Sequence, residues 1–170
     1  MSQLMALSVS VAVLGAVWSW ICLGLAPSYL LVWVGFIAAA CFFGAGGDQK
    51  ALVRTIVGMI YGAVVAWITL MIISKGPQFQ GAMGPIWDAI VIGVLVFFLV
   101  IVASVDVLSC VPANVYGFAA VAGYTLAKGN MADLTAGSFA NPLILVAVSA
   151  ACGGVLGYAM GQGATMLKAK

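Results

Sequence analysis

Apolar residues in this chain come in long continuous runs, separated by short polar or Gly/Pro-rich breaks. The runs do not alternate polar with apolar positions, as the strands of a membrane barrel do. They predict six helical segments: about Leu4 to Leu25, Tyr29 to Phe43, Ala51 to Ser74, Ile86 to Val105, Val111 to Ala127, and Leu143 to Gly163. Ala26-Pro27-Ser28 is a very short turn, and Gly44 to Asp48 is a second break. Lys75 to Gly84, with two Gly-Pro steps at its ends, and Lys128 to Asn141 read as loops. Pro142 suits the first turn of the last helix.

Composition places these helices. Of 170 residues, 65% are hydrophobic and 6% charged, against about 25% charged in a soluble domain. Such a chain cannot cover a water-facing surface. A spanning helix needs about 20 apolar residues, so the expectation is an all-α membrane protein: one integral domain, 1–170, with six transmembrane helices. Met1 to Val13 has no Lys or Arg ahead of its apolar run, unlike the start of a cleaved signal peptide. It reads as a retained first span. Six spans put both termini and the break after segment two on one side, with Lys50, Arg54, Lys168 and Lys170. The other side has Lys75 and Lys128. The excess predicts cytoplasmic termini.

Segments two and five are the shortest, at roughly 22 to 26 Å of helix against a hydrocarbon core of about 30 Å. Pro27 precedes one and Pro112 opens the other. Short or broken segments in matching places suggest an inverted repeat. Gly35-Phe36-Ile37-Ala38-Ala39-Ala40 aligns with Gly117-Phe118-Ala119-Ala120-Val121-Ala122, and Gly58-x-x-x-Gly62 corresponds to Gly153-x-x-x-Gly157. The expectation is two antiparallel three-helix halves, approximately 1–75 and 82–165. Shared membrane composition is the competing explanation for these matches.

The candidate chemistry is sparse. The chain has no His, and its four acidic residues are all Asp. Cys22, Cys41, Cys110 and Cys152 are scattered and form no CxxC pair, so they read as small packing residues, with no metal, cofactor or disulfide expected. Without paired carboxylates, an enzyme is not expected. Without a basic cluster, neither is a nucleic-acid partner. Gly58, Gly62, Gly153 and Gly157 predict close helix packing. Trp87 suits an interfacial position, and Trp18, Trp20, Trp33 and Trp67 read as packing residues.

The densest polar stretch inside an apolar region runs from Ser104 to Gly117. Pro112 breaks the helix there, and a restarted helix exposes backbone N–H groups. Asp106, Asn114, Tyr116 and Pro112, with Gly35 and Phe36 in the matching half, form the candidate solute pathway. Asp106 reads equally as an interfacial residue or a helix cap. Asp48, Lys50 and Arg54 read as a cytoplasmic headgroup anchor, or as a gate in which Arg54 meets Asp48 or Asp106.

Trp33-x-x-Phe36, Gly46-Gly47, Pro112 with Gly117-Phe118, and Asn141-Pro142 before a Gly-rich last span resemble a family of small bacterial inner-membrane proteins, domain-of-unknown-function family 1097. The similarity covers nearly the whole chain. It implies a multi-pass inner-membrane location and carries no site residues. The expected function is a channel or facilitator for a small neutral or weakly acidic solute, working as a homo-oligomer in the lipid bilayer. The alternative is an accessory membrane protein packed against a partner complex.

Overall fold

A computed structural model describes residues 1–168. Lys170, counted above in the charge balance, lies outside the described residues. Most of the described residues are helical: α1 (Gln3–Trp20), α2 (Val32–Gly44), α3 (Gln49–Ser74), α4 (Pro77–Met83), α5 (Pro85–Ile101), α6 (Val111–Lys128) and α7 (Pro142–Lys168). α1 widens at its end into a π turn, Ile21–Leu25. Among the described residues, four helices are long and apolar enough to cross a membrane: α1 with its π turn, α3, α5 with the turn that follows it, and α7. α2 is apolar but shorter, and α6 carries Asn114 and several hydroxyl residues.

Local signals set most boundaries. Ser2 Oγ accepts a hydrogen bond from Met5 N at 3.3 Å and caps α1. Asp48 Oδ1 accepts from Ala51 N at 2.7 Å and caps α3. Gly129, at φ 67°, closes α6 in the left-handed conformation that glycine adopts most readily. The expected loop from Lys75 to Gly84 instead holds α4, started by Pro77. Phe79 of α4 stacks on Trp87 of α5 with centroids 4.7 Å apart. α5 ends at Ile101, four residues before the apolar run does. Lys50, expected just before the third segment, lies within the first turn of α3.

Two tight helix pairs make the centre. α3 packs on α6 and α2 on α7, while α3 and α7 also touch each other. In the first pair, Gly58 faces Ala113 and Gly62 faces Asn114 and Phe118. In the second, Gly153 faces Gly35 and Ala38, and Gly157 faces Ala39 and Phe42. Residue numbers rise together along both contacts, so both pairs are parallel. A Cβ at Gly153 would stand 2.6 Å from the Gly35 carbonyl oxygen. The glycines thus bring helix backbones together, as small residues do between membrane helices.

The remaining helices lie outside this centre. α1 packs on α7 and α5 on α3. Ser10 Oγ donates to Met160 O at 2.7 Å in the first contact, and Tyr61 Oη to Phe98 O at 3.0 Å in the second. Trp18 and Trp67 turn inward, donating to Val32 O at 3.0 Å and Leu134 O at 2.7 Å. Trp20 and Trp33 face outward, against the packing role expected of them. Three other buried hydroxyls are satisfied within their own helices: Thr69 donates to Val65 O, Thr125 to Val121 O and Ser149 to Leu145 O. Ser149 also accepts from Leu31 N at 2.9 Å, covering a free N–H at the start of α2.

Candidate functional site

The sequence break before Pro112 is a non-helical link from Val102 to Cys110, made of two single 3-10 turns, Val102–Ser104 and Asp106–Leu108. Pro112 takes the first turn of α6, where no N–H is needed. Asn114, two residues further on, is fully buried. Its Nδ2 donates to Leu99 O at 3.3 Å and Leu108 O at 3.1 Å. Those carbonyls belong to the end of α5 and to the link, which the helix ladder cannot satisfy. Asn114 Oδ1 is buried with no donor, and it lies against Gly58. Asn114 therefore ties the link to α6, and the backbone approach at Gly58 makes room for it.

Arg54 reaches the same link from α3. Its guanidinium pairs with the Asp106 carboxylate, and its Nε donates to Asp106 O at 3.2 Å. Asp48 is occupied as the α3 cap, so the partner of Arg54 is Asp106 and not Asp48. The Asp106 side chain is 76% exposed and that of Arg54 29%. An ion pair this open is worth about 0–1 kcal/mol, so it positions the link more than it stabilises the fold. Gln49, Lys50, Val53 and Val107 join the two in an open groove of about 260 Å³.

The six residues of the expected pathway fall in different surroundings. Asp106 is exposed in the groove, and Asn114 is sealed against α3. Pro112 and Tyr116 face outward from α6. Gly35 is wedged between Trp18 and Gly153, and Phe36 is exposed on the other side of α2, beside Gly15. Among the described residues they do not converge on one cavity.

A cavity of about 510 Å³ lies at the opposite end of the bundle from the Arg54–Asp106 pair. It is lined by Pro27, Ser28, Tyr29 and Leu31 before α2, Tyr124 and Lys128 at the end of α6, and Ser138, Phe139, Ala140 and Leu145 around the start of α7. Tyr29 meets Phe139 edge to face, with centroids 5.1 Å apart. The loop behind it is well tied: Asn141 Nδ2 donates to Leu134 O and Ala136 O, both at 3.0 Å. Lys128 stands 5.8 Å over the Tyr124 ring and forms a 2.7 Å ion pair with Asp133. One residue past the apolar stretch of α6, its ammonium has a pKa raised above the usual lysine value, chiefly by the hydrogen bond to Asp133. It is a cation throughout the neutral range.

This vestibule offers hydroxyls, ring faces and one ammonium. That set can receive a small polar or weakly acidic solute. The sequence reading missed it because its walls come from three distant segments. The signal present was the aromatic pair Tyr29 and Tyr124, each beside a polar break.

The model of one protein family matches residues 8–165, under the description "Protein of unknown function (DUF1097)". The chain belongs to this family. No curated protein and no solved structure matches the chain. The matched region takes in all of the vestibule, the Arg54–Asp106 groove and both glycine-lined helix pairs.

Proposed function

We propose that this protein is a facilitator of the bacterial inner membrane for a small neutral or weakly acidic solute, with six spans and both termini in the cytoplasm. The vestibule carries the reading: about 510 Å³ of hydroxyl- and aromatic-lined space at one end of an otherwise apolar bundle. Pockets of this size and lining suit small ligands. Lys128, paired with Asp133, presents a half-exposed ammonium at the mouth that an acid group can approach.

The packing supports two inverted halves. α3 on α6 matches α7 on α2, and α5 on α3 matches α1 on α7. The first half would be α1 to α3, and the second α5 to α7. In this plan the vestibule faces outward and the Arg54–Asp106 groove faces the cytoplasm. Leu145, only 4% exposed, is the most buried lining residue named for the vestibule core. It forms the first barrier beneath the vestibule.

Stopped-flow swelling of liposomes holding the full chain, across small neutral solutes and weak acids, tests the reading. The expected result is flux above empty liposomes for at least one solute, raised by Leu145→Ala. Flux equal to empty liposomes for every solute, with both proteins, would overturn it.

An accessory or self-associating role is the second reading. α5 favours it: only Val91 and Leu99 are buried along its length, against ten buried residues in α3. Ile86, Ile90, Val94, Phe97 and Ile101 leave an outer face for lipid, a second copy or a partner. Gentle detergent extraction separates these cases by mass: a symmetric homo-oligomer or a larger mixed complex.

A further inference from the structure

Cys41 and Cys110 are 69 positions apart in sequence, yet their Sγ atoms lie 3.8 Å apart. Cys41 is buried in the last turns of α2. Its sulfur also accepts a hydrogen bond from the buried Thr55 hydroxyl of α3, at 3.8 Å. Cys110 is the residue before α6, at the end of the non-helical link, and it is only partly buried. The two thiols thus join α2, α3 and the link at one point. Both sulfurs are free.

We propose that Cys41 and Cys110 are a redox-active dithiol that closes reversibly to an intramolecular disulfide. The mobility needed is small. A disulfide bond is about 2.05 Å long, so the sulfurs must approach by a little under 2 Å. Cys41 is held in a regular helix, but Cys110 has non-helical backbone, at φ −80° and ψ 82°. Its side chain can rotate without breaking a helix ladder. Cys110, the less buried of the two residues, is the one an oxidant reaches first.

The oxidant is a lipid-soluble quinone, a two-electron acceptor that dissolves in the bilayer. The two S–H bonds break and one S–S bond forms. Two electrons and two protons pass to the quinone, which becomes the hydroquinone. A dithiol reductant reverses the step by thiol–disulfide exchange. The bond would fasten the link to α2 four residues from Asp106, and so set how freely the Arg54–Asp106 pair opens. This inference stands apart from the facilitator reading, because it concerns thiol chemistry alone.

The test uses the full chain in liposomes with Cys22 and Cys152 replaced by serine. A fully substituted benzoquinone is the oxidant, since it cannot add to thiols. Thiols are then counted after unfolding by a mass-tagging maleimide, and intact mass is measured. The expected result is loss of both tags, a mass lower by two hydrogens, no covalent dimer, and full recovery with dithiothreitol. Cys110→Ser in the same background should keep its one tag under oxidation. If the serine background does not fold, peptide mapping of the oxidised natural chain should yield a Cys41–Cys110 cross-linked peptide. Retention of both tags, or oxidation only to intermolecular dimers, overturns the proposal; in the mapping arm, absence of that peptide does the same.

Discussion

Gly62 lies so close to Asn114 that the carbonyl oxygen of Asn114 occupies the space a side chain would need. Gly117 meets Met59 of α3 in the same way. Here the obstacle is backbone, which cannot rotate aside. Gly62→Ala and Gly117→Ala should each destabilise the protein by at least the usual overpacking cost, about 1–3 kcal/mol. Gly161→Ala is the control: a Cβ there meets nothing nearer than Phe42, at 3.7 Å. Thermal unfolding in detergent should separate the first two variants from the third. Equal midpoints for all three would refute backbone contact as the basis of this seam.

Asn114→Leu should loosen the link between α5 and α6. The substitution removes the donor that serves Leu99 O and Leu108 O. Unpaired buried carbonyls cost about 1–3 kcal/mol each. Hydrogen exchange should rise first in Val102–Cys110, before α3 or α7 changes. Unchanged exchange there would mean that the link is held by something other than this amide.

Arg54→Ala should cost less than 1 kcal/mol in stability, as expected for an exposed pair. Its effect on the groove should be larger than its effect on the fold. A spin label or fluorophore at Val107 should gain mobility in Arg54→Ala and in Asp106→Asn. Raising salt should give the natural protein part of that mobility. A large fall in melting temperature for Arg54→Ala would contradict the open geometry of the pair.

Lys128→Met tests the vestibule. The ammonium is gone, while Tyr29, Tyr124 and Phe139 still line the space. Uptake of a weak acid should fall severalfold relative to a neutral solute of similar size. In the natural protein, Lys128 should contribute no titration near neutral pH, because its pKa is raised from an already high value. Its charge is lost only as pH rises through that raised value. A neutral-range pH step in uptake that vanishes in Lys128→Met would overturn this assignment.

Several features were readable from residue order alone. Pro112 marks the helix restart because it removes an N–H and restricts its predecessor. Gly58-x-x-x-Gly62 and Gly153-x-x-x-Gly157 lie at close contacts because only glycine admits a neighbouring backbone there. Facing was harder to read. Tyr116 and Phe36 point outward while Asn114 and Gly35 point inward. In a helix apolar on every side, no polar stripe distinguishes inside from outside. The end of α5 was hidden for a related reason: Val102 and Ala103 are equally apolar in or out of a helix. The Cys41–Cys110 contact and the vestibule join distant segments, and a one-dimensional pattern holds no record of that.

α5 has only Val91 and Leu99 buried along its 17 residues. α3 is its main packing partner, joined through the Tyr61–Phe98 hydrogen bond, and α4 and the link continue it at its two ends. For such a helix, bilayer thickness becomes a mechanical input. A thicker or thinner membrane changes the tilt at which its apolar length is matched, and that tilt is delivered to Asp106 as a pull on a short tether. The surrounding lipid can thus act on the Arg54 groove from a distance, through a strut that the protein itself hardly grips.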